Sequence, residues 1–252
     1  MTAPIALITG GSRGLGKNIA QHLARKGSDL IITWHSKSAE AEAVAGEARS
    51  LGRKAVALQL DASDTRAFPA FAGQVKAALK ETWQRERFDH LVNNAGTALY
   101  APFAETTEEQ FDAAMNVHFK GVYFLTQKLL PLLNDGGRIV NVSSGLARFS
   151  LPGSSAYGSM KGAVEVLTRY LAKELGPRKI SVNTVAPGAI ETDFGGGRVR
   201  DNPEMNKMVA ANTALGRAGL PDDVGAAVAA LLEPGCGWIN AQRIEVSGGM
   251  FI

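Results

Sequence analysis

Ser144, Tyr157 and Lys161 are the side chains whose types and spacing suit proton transfer: Tyr157 follows Ser144 by thirteen positions, and Lys161 follows Tyr157 by four. Met160, Val164, Leu167, Leu171 and Leu175 recur at helical intervals, so Tyr157 and Lys161 stand one turn apart on that helix. With Val164 at the origin of a helical wheel, Tyr157 falls about 20° and Lys161 about 60° away, inside or beside the apolar stripe. A lysine there is partly desolvated and needs a partner or a task. The competing reading is a lysine that merely carries its ammonium out of a core helix. A phenol near its usual pKa must be lowered by about three units to exchange protons at neutral pH, roughly 4 kcal/mol. One ammonium ~4 Å away at an effective dielectric of ~20 supplies about that much. Tyr157 then serves as general acid/base, Lys161 as its electrostatic support and Ser144 as the donor that holds a substrate oxygen.

A second cluster is built of glycine. Directly after the apolar run Ile5 to Thr9 comes Gly10-Gly11-Ser12-Arg13-Gly14-Leu15-Gly16, which opens a helix carrying Leu15, Ile19 and Leu23. A strand, a glycine turn and a helix N-terminus offer a phosphate free N–H groups, a positive dipole end and no Cβ in the way. The competing reading is a tight structural turn. Dinucleotide-binding sheets usually carry an acidic residue about 20 residues farther on, which binds the ribose and repels a 2′-phosphate. Here the second strand ends Thr33-Trp34-His35-Ser36-Lys37 without a carboxylate, and Arg13 sits inside the loop. Arg13, His35, Ser36 and Lys37 therefore point to NADP(H) rather than NAD, against the alternative that His35 and Lys37 are solvated loop residues. Asp61, with Ala62 beside it, is placed to accept from an adenine amino group, or else caps the helix that begins near Ser63. Asn93-Asn94-Ala95-Gly96 leaves a small-residue gap suited to a flat ligand, although such strand ends are also ordinary turns.

Thr-Gly-x-x-x-Gly-x-Gly, Asn-Asn-Ala-Gly, Ser-x12-Tyr-x3-Lys and Pro187-Gly188-x-Ile190-x-Thr192, in this order and spacing, resemble the short-chain dehydrogenase/reductase family along essentially the whole chain. The resemblance implies an α/β fold, a doubly wound, Rossmann-like, seven-stranded parallel sheet with helices on both faces. It implies hydride transfer between nicotinamide and a carbonyl/alcohol pair. It adds Asn116 to the catalytic set, relaying protons to Lys161 through water. It brings Tyr157 and Lys161 to the nicotinamide ribose, places Ile190 and Thr192 at the carboxamide, and makes residues 188–219 a substrate flap. The C-terminal run from Gly237 to Met250 is similar to the 3-oxoacyl-carrier-protein reductase-like branch, whose members are usually homotetramers.

These groups require a particular scaffold. Short apolar runs (Ile5 to Thr9, Asp29 to Trp34, Lys54 to Leu60, His90 to Asn93, Arg138 to Ser143, Ser181 to Ala186, Gln242 to Val246) alternate with helical stretches, the pattern of a parallel sheet with crossovers. Phe68, Phe71, Val75 and Leu79 mark one helix; Gly27, Gly52 and Gly176 read as helix ends. Residues 188–219 read as irregular, and Asn134 to Gly137 as a loop before the fifth strand. The 252 residues fit one domain, and 45% apolar residues with a net charge of +3 supply a core and exclude disorder. One cysteine excludes an intrachain disulfide framework, and four histidines without ligand spacing give no expected metal site. No basic run suggests nucleic acid, no apolar run is long enough for a membrane, and no leader precedes the first strand, so a cytoplasmic protein is expected.

The substrate is a small carbonyl/alcohol compound of undetermined identity; Tyr100, Phe149, Leu151 and Phe194 are pocket candidates that equally suit a core. An acyl-carrier partner would need a basic docking face, which Arg178-Lys179 favour and Asp135 opposes. A nucleotide-sensing or scaffolding protein that has lost turnover is the remaining class, and the presence of Asn116, Ser144, Tyr157 and Lys161 argues against it.

Overall fold

The computed structural model describes residues 2–252. Seven parallel strands, β1 (Ile5–Ile8), β2 (Asp29–Trp34), β3 (Ala55–Gln59), β4 (Phe88–Asn93), β5 (Leu133–Val142), β6 (Ser181–Pro187) and β7 (Arg243–Val246), form one sheet in the order β3-β2-β1-β4-β5-β6-β7. The order reverses direction between β1 and β4, the place where a doubly wound sheet opens a crevice at its C-terminal rim.

Residues successive along a strand point to opposite faces, and both faces here are covered. Ala6 and Ile8 join Ile19, Ile32, Val44 and Val228 in one core, while Ile5 and Leu7 join Phe68, Phe88, Leu91, Leu125 and Ile139 in the other. The first is roofed by α1 (Gly14–Arg25), α2 (Ser38–Ser50) and α9 (Pro221–Leu231), which supply Ile19, Val44 and Val228. The second is roofed by α3 (Phe68–Ala78), α5 (Gly121–Leu129) and α6 (Ser155–Glu174). A shorter α4 (Glu108–Met115) runs into α5 through a π-turn over Asn116–Lys120.

Two sequence expectations need correction. β5 begins at Leu133 and so contains Asn134 to Gly137, because Leu133 pairs with Phe88 before the register shifts at His90. Residues 188–219 are not irregular: they hold α7 (Arg198–Asp201) and α8 (Pro203–Ala211), the second begun by Asn202, whose side chain accepts from the Met205 N–H at 2.9 Å. α6 does end at Gly176, just past its C-cap Leu175, and the left-handed backbone falls three residues later, at Lys179 with φ 57°.

Candidate active site

The rim between β1 and β4 is shaped by missing side chains. Gly10 lies at φ 64°, and a Cβ on it would come within 3.0 Å of Ala95 Cα. A Cβ on Gly16 would lie 2.1 Å from the Gly10 carbonyl oxygen and 2.6 Å from Asn94 Nδ2. The loop is tied to β4 because Asn94 donates to the Thr9 and Gly10 carbonyls at 2.9 and 3.1 Å, and the Thr9 hydroxyl accepts from the Asn94 and Ala95 N–H groups at 2.9 Å. Arg13 makes no side-chain cap at the start of α1, and the first turn carries no acidic residue. The first-turn N–H groups thus keep their donor capacity and the dipole's positive end uncompensated, which fits the phosphates of a dinucleotide. A cleft of about 260 Å³ adjoins this end, between Gly14 and Lys17 of α1 and Glu191 to Asp193.

Around it, Arg13, His35, Ser36 and Lys37 are exposed. His35 Nε2 is 3.5 Å from Asp61 Oδ2, so these two face one another. The other Asp61 oxygen accepts from the Ser63 N–H at 2.8 Å and its hydroxyl at 2.6 Å, which is the turn-capping alternative. The Ala62 carbonyl packs on Gly121, where a Cβ would lie 2.1 Å away. The Asn93 amide is turned into the sheet, donating to Thr126 Oγ1 at 3.0 Å and Asn141 Oδ1 at 2.8 Å. Its side chain is a strut between β4 and its neighbours.

On the other side of the crevice, β5 ends at Val142 and Ser144 follows, its Oγ accepting from the Leu146 N–H at 3.2 Å. Tyr157, in the first turn of α6, faces Ser144; burial of the hydroxyl raises the phenol pKa and the Ser144 hydroxyl pulls it back. Lys161 is 5% exposed, and burial lowers its ammonium to about 8. Its Nζ donates to the Val142 carbonyl at 2.8 Å and stands 5.6 Å from the Tyr157 ring centroid. The ammonium therefore lies beside the phenol ring while bonded to backbone, and burial keeps the phenol pKa raised. Asn116 opens the π-turn, with its carbonyl accepting from the Gly121 N–H across that turn.

Pro187 ends β6. Gly188 follows against Ser247, where a Cβ would come within 2.9 Å, and its N–H donates to the Val246 carbonyl at 3.1 Å. Ile190 bridges to Gly219, and Thr192, buried, lies near Gly14. Leu15 packs on the first core and Ser12 is half-buried in the loop. The chain thus brings Gly10, Gly14, Gly16, Ala95 and Thr192 to one side of the crevice and Ser144, Tyr157 and Lys161 to the other.

Of the pocket candidates, Phe194 has its ring 6.1 Å from Tyr157, and Tyr100 packs on Gly195, with Arg198 5.2 Å from its ring centroid. Phe149 packs on Phe251 at 4.8 Å, which matches its core alternative. Two features carried no sequence signal. His118, a lone histidine inside a helical stretch, is buried against Tyr157. Glu165, one turn beyond Lys161, accepts from Ser143 Oγ at 2.7 Å and Arg243 Nε at 2.8 Å. Arg243 also meets Glu245, as does Arg148, which donates further to the Met250 and Phe251 carbonyls. Burial would raise the Glu245 carboxyl, but the two arginines outweigh it and hold it at about 2. The helix that carries Tyr157 is fastened to the C-terminal end by this network.

Comparison with known proteins agrees with the geometry. A family model described as Enoyl-(Acyl carrier protein) reductase matches residues 10–251. A hydroxynaphthalene reductase-like protein of Metarhizium brunneum is 36% identical over 99% of this chain and 95% of its own length. The solved angucycline C-6 ketoreductase LanV, with bound NADP, superposes with a TM-score of 0.93 at 32% identity, covering 98% of this chain and 95% of its own. A short chain dehydrogenase from Burkholderia cenocepacia in complex with NADP gives 0.90 at 35%, covering 99% and 98%. With its seven parallel strands, its glycine cradle and its Ser-Tyr-Lys wall, the chain belongs to the short-chain dehydrogenase/reductase family, whose members are oxidoreductases.

Proposed function

We propose that this protein is an NADPH-dependent ketoreductase in which Tyr157 gives a proton to the substrate carbonyl oxygen. The observation that carries it is the grouping of Tyr157, Ser144 and buried Lys161 beside a helix N-terminus whose first turn carries no acidic residue. Gly10, Ser12, Gly14, Leu15 and Gly16 hold the phosphates; Arg13, with Ser36, Lys37 and His35, meets the 2′-phosphate. Asp61 and Ala62 flank the adenine, Asn93, Ala95 and Gly96 pass beneath the ribose, and Pro187, Gly188, Ile190 and Thr192 border the nicotinamide. NADPH, when bound, supplies the hydride for the carbonyl carbon.

Ser144 Oγ donates to the carbonyl oxygen and lowers the cost of the negative charge that develops there. The Tyr157 hydroxyl delivers its proton to that oxygen, leaving a phenolate beside Lys161. Because burial holds the Lys161 pKa near 8, most of the ammonium is charged at neutral pH. A proton from solvent, relayed through water held by Asn116 to Lys161, then replaces the one that Lys161 passes to Tyr157. In the reverse direction the same phenol accepts the alcohol proton.

Tyr100 and Phe194 give the crevice an aromatic rim, which favours a flat aromatic ketone. Relatives whose printed names concern hydroxynaphthalene and angucycline support that class. A carrier-protein substrate has less support, since Arg178 is bonded to Asp135 at 2.7 Å and the two signs cancel on that face. A homotetramer belongs to the same reading: Trp238 is fully exposed, and a groove of about 400 Å³ lined by Phe103, Phe111 and Ala156 lies along α4 and α6. Among the described residues no helix is long and apolar enough to cross a membrane, and a cytoplasmic setting is part of the proposal.

The test is a panel of aromatic and aliphatic ketones and alcohols assayed with NADPH, NADH and their oxidised forms. Reduction of aromatic ketones, faster with NADPH, is expected; no turnover on any member would overturn the proposal.

A further inference from the structure

We propose that His118 is a positioning residue for Tyr157: a neutral imidazole that fixes the plane of the phenol ring and joins it to the chain segment leading to Tyr100. The inference rests on the reading of Tyr157 as the proton donor. Its ring meets the Tyr157 ring edge-on, with centroids 4.9 Å apart and planes at 81°, an arrangement that aromatic quadrupoles favour over stacking. Its Nε2 lies 2.8 Å from the Thr97 carbonyl oxygen, which can only accept, and 3.4 Å from the Thr97 nitrogen; the shorter contact assigns the proton to Nε2 as donor. The segment beyond Thr97 leads to Tyr100 on the substrate side and is closed onto the chain before α6, where the Ala101 N–H donates to the Gly153 carbonyl at 2.9 Å.

Two further observations separate this from ordinary core filling. Gly96 leaves room for the imidazole: a Cβ there would lie 2.8 Å from His118 Cε1. The small residue that suggested a ligand approach therefore also serves a side chain. The other nitrogen, Nδ1, is buried with no hydrogen-bond partner among the described protein groups, a desolvation cost that a packing residue such as leucine would not incur. His118 is also reached through the π-turn. Burial and the Lys161 cation both oppose a second proton, so the imidazole stays neutral beside the phenol.

The geometry separates into two parts that two variants isolate. His118→Phe keeps an edge-on ring and loses the bond to Thr97; His118→Gln keeps a donor for Thr97 and loses the ring. If the ring contact sets the phenol plane, His118→Gln lowers kcat about tenfold with ketone KM and NADPH Kd within about threefold and moves the pH profile of kcat, whereas His118→Phe recovers kcat to within about threefold of the parent. A crystal structure of His118→Gln should show the Tyr157 ring rotated by about 30° or more. That readout is independent of turnover, so it stands even if Tyr157→Phe proves fully active and the reading of Tyr157 as donor fails. Parental kcat in His118→Gln, equal loss in both variants, or an unmoved Tyr157 ring would overturn the proposal. Should His118→Gln fold poorly, His118→Leu replaces it as the ringless variant with the same expected loss.

Discussion

The glycine loop between β1 and α1 and the wall formed by β5 and α6 share one rim of one sheet, but they present different materials. The loop presents backbone: glycines that permit close approach and a helix start with no side-chain cap and no acidic residue in its first turn. The wall presents side chains, and nearly every polar group in it is already engaged, Lys161 with the Val142 carbonyl, Ser143 with Glu165 and Asn141 with Thr168 at 2.9 Å. A backbone site depends on where side chains are absent, so any added atom damages it. A side-chain site depends on orientation, so it is damaged by the loss of a neighbour that holds a ring or an ammonium in place.

Gly16→Ala should break the backbone side most severely. The added methyl would overlap the Gly10 carbonyl, and NADPH Kd measured by fluorescence titration should rise at least ~100-fold, about 2.7 kcal/mol. The wall answers instead to acid. His118 is held neutral down to about 3 by burial, with the Lys161 cation adding to the effect, whereas the unfolded side chain titrates near 6.5. The unfolded state therefore binds the proton first, and stability is lost as pH falls from 6.5 toward 3. Between pH 7 and pH 5 this group costs about 2 kcal/mol. Urea unfolding at the two pH values should show His118→Phe losing about that much less than the parent.

Arg13→Ala sharpens the contrast within the nucleotide side. NADPH Kd should rise about tenfold, about 1.4 kcal/mol, while NADH Kd changes less than twofold; equal losses would remove Arg13 from the 2′-phosphate. The smallest effect belongs to neither region. Thr107 caps α4, with the Gln110 N–H donating to its hydroxyl at 3.3 Å and Gln110 Oε1 accepting from the Thr107 N–H at 3.1 Å. Thr107→Ala should cost about 1 kcal/mol, a few degrees of Tm, with Kd and kcat unchanged.

The same contrast decides how much was legible in advance. Strands β1 to β7, the helical face of Phe68, Phe71, Val75 and Leu79, and the burial of Lys161 all follow from local period, because apolar spacing maps directly to a face. Gly10, Gly14 and Gly16 were visible for a similar reason, since a glycine at a strand-to-helix turn has few other purposes. Side-chain commitments were not visible. Nothing near Asn93 signals that its amide spans to Thr126 and Asn141, and nothing near Asp61 chooses between adenine and Ser63. His118 reaches Tyr157 across 39 positions through a π-turn that has no compositional marker. The hydrogen bond from Lys161 goes to the Val142 carbonyl, an acceptor which the sequence does not locate.

The most direct test combines two readings on one protein, Tyr157→Phe. NADPH affinity reports the backbone side and single-turnover reduction of an aromatic ketone reports the wall. NADPH Kd within about threefold of the parent, with the reduction rate lowered by ~10²-fold or more, is the expected result. Reduction at the parental rate, with binding intact, would contradict the assignment of proton transfer to Tyr157.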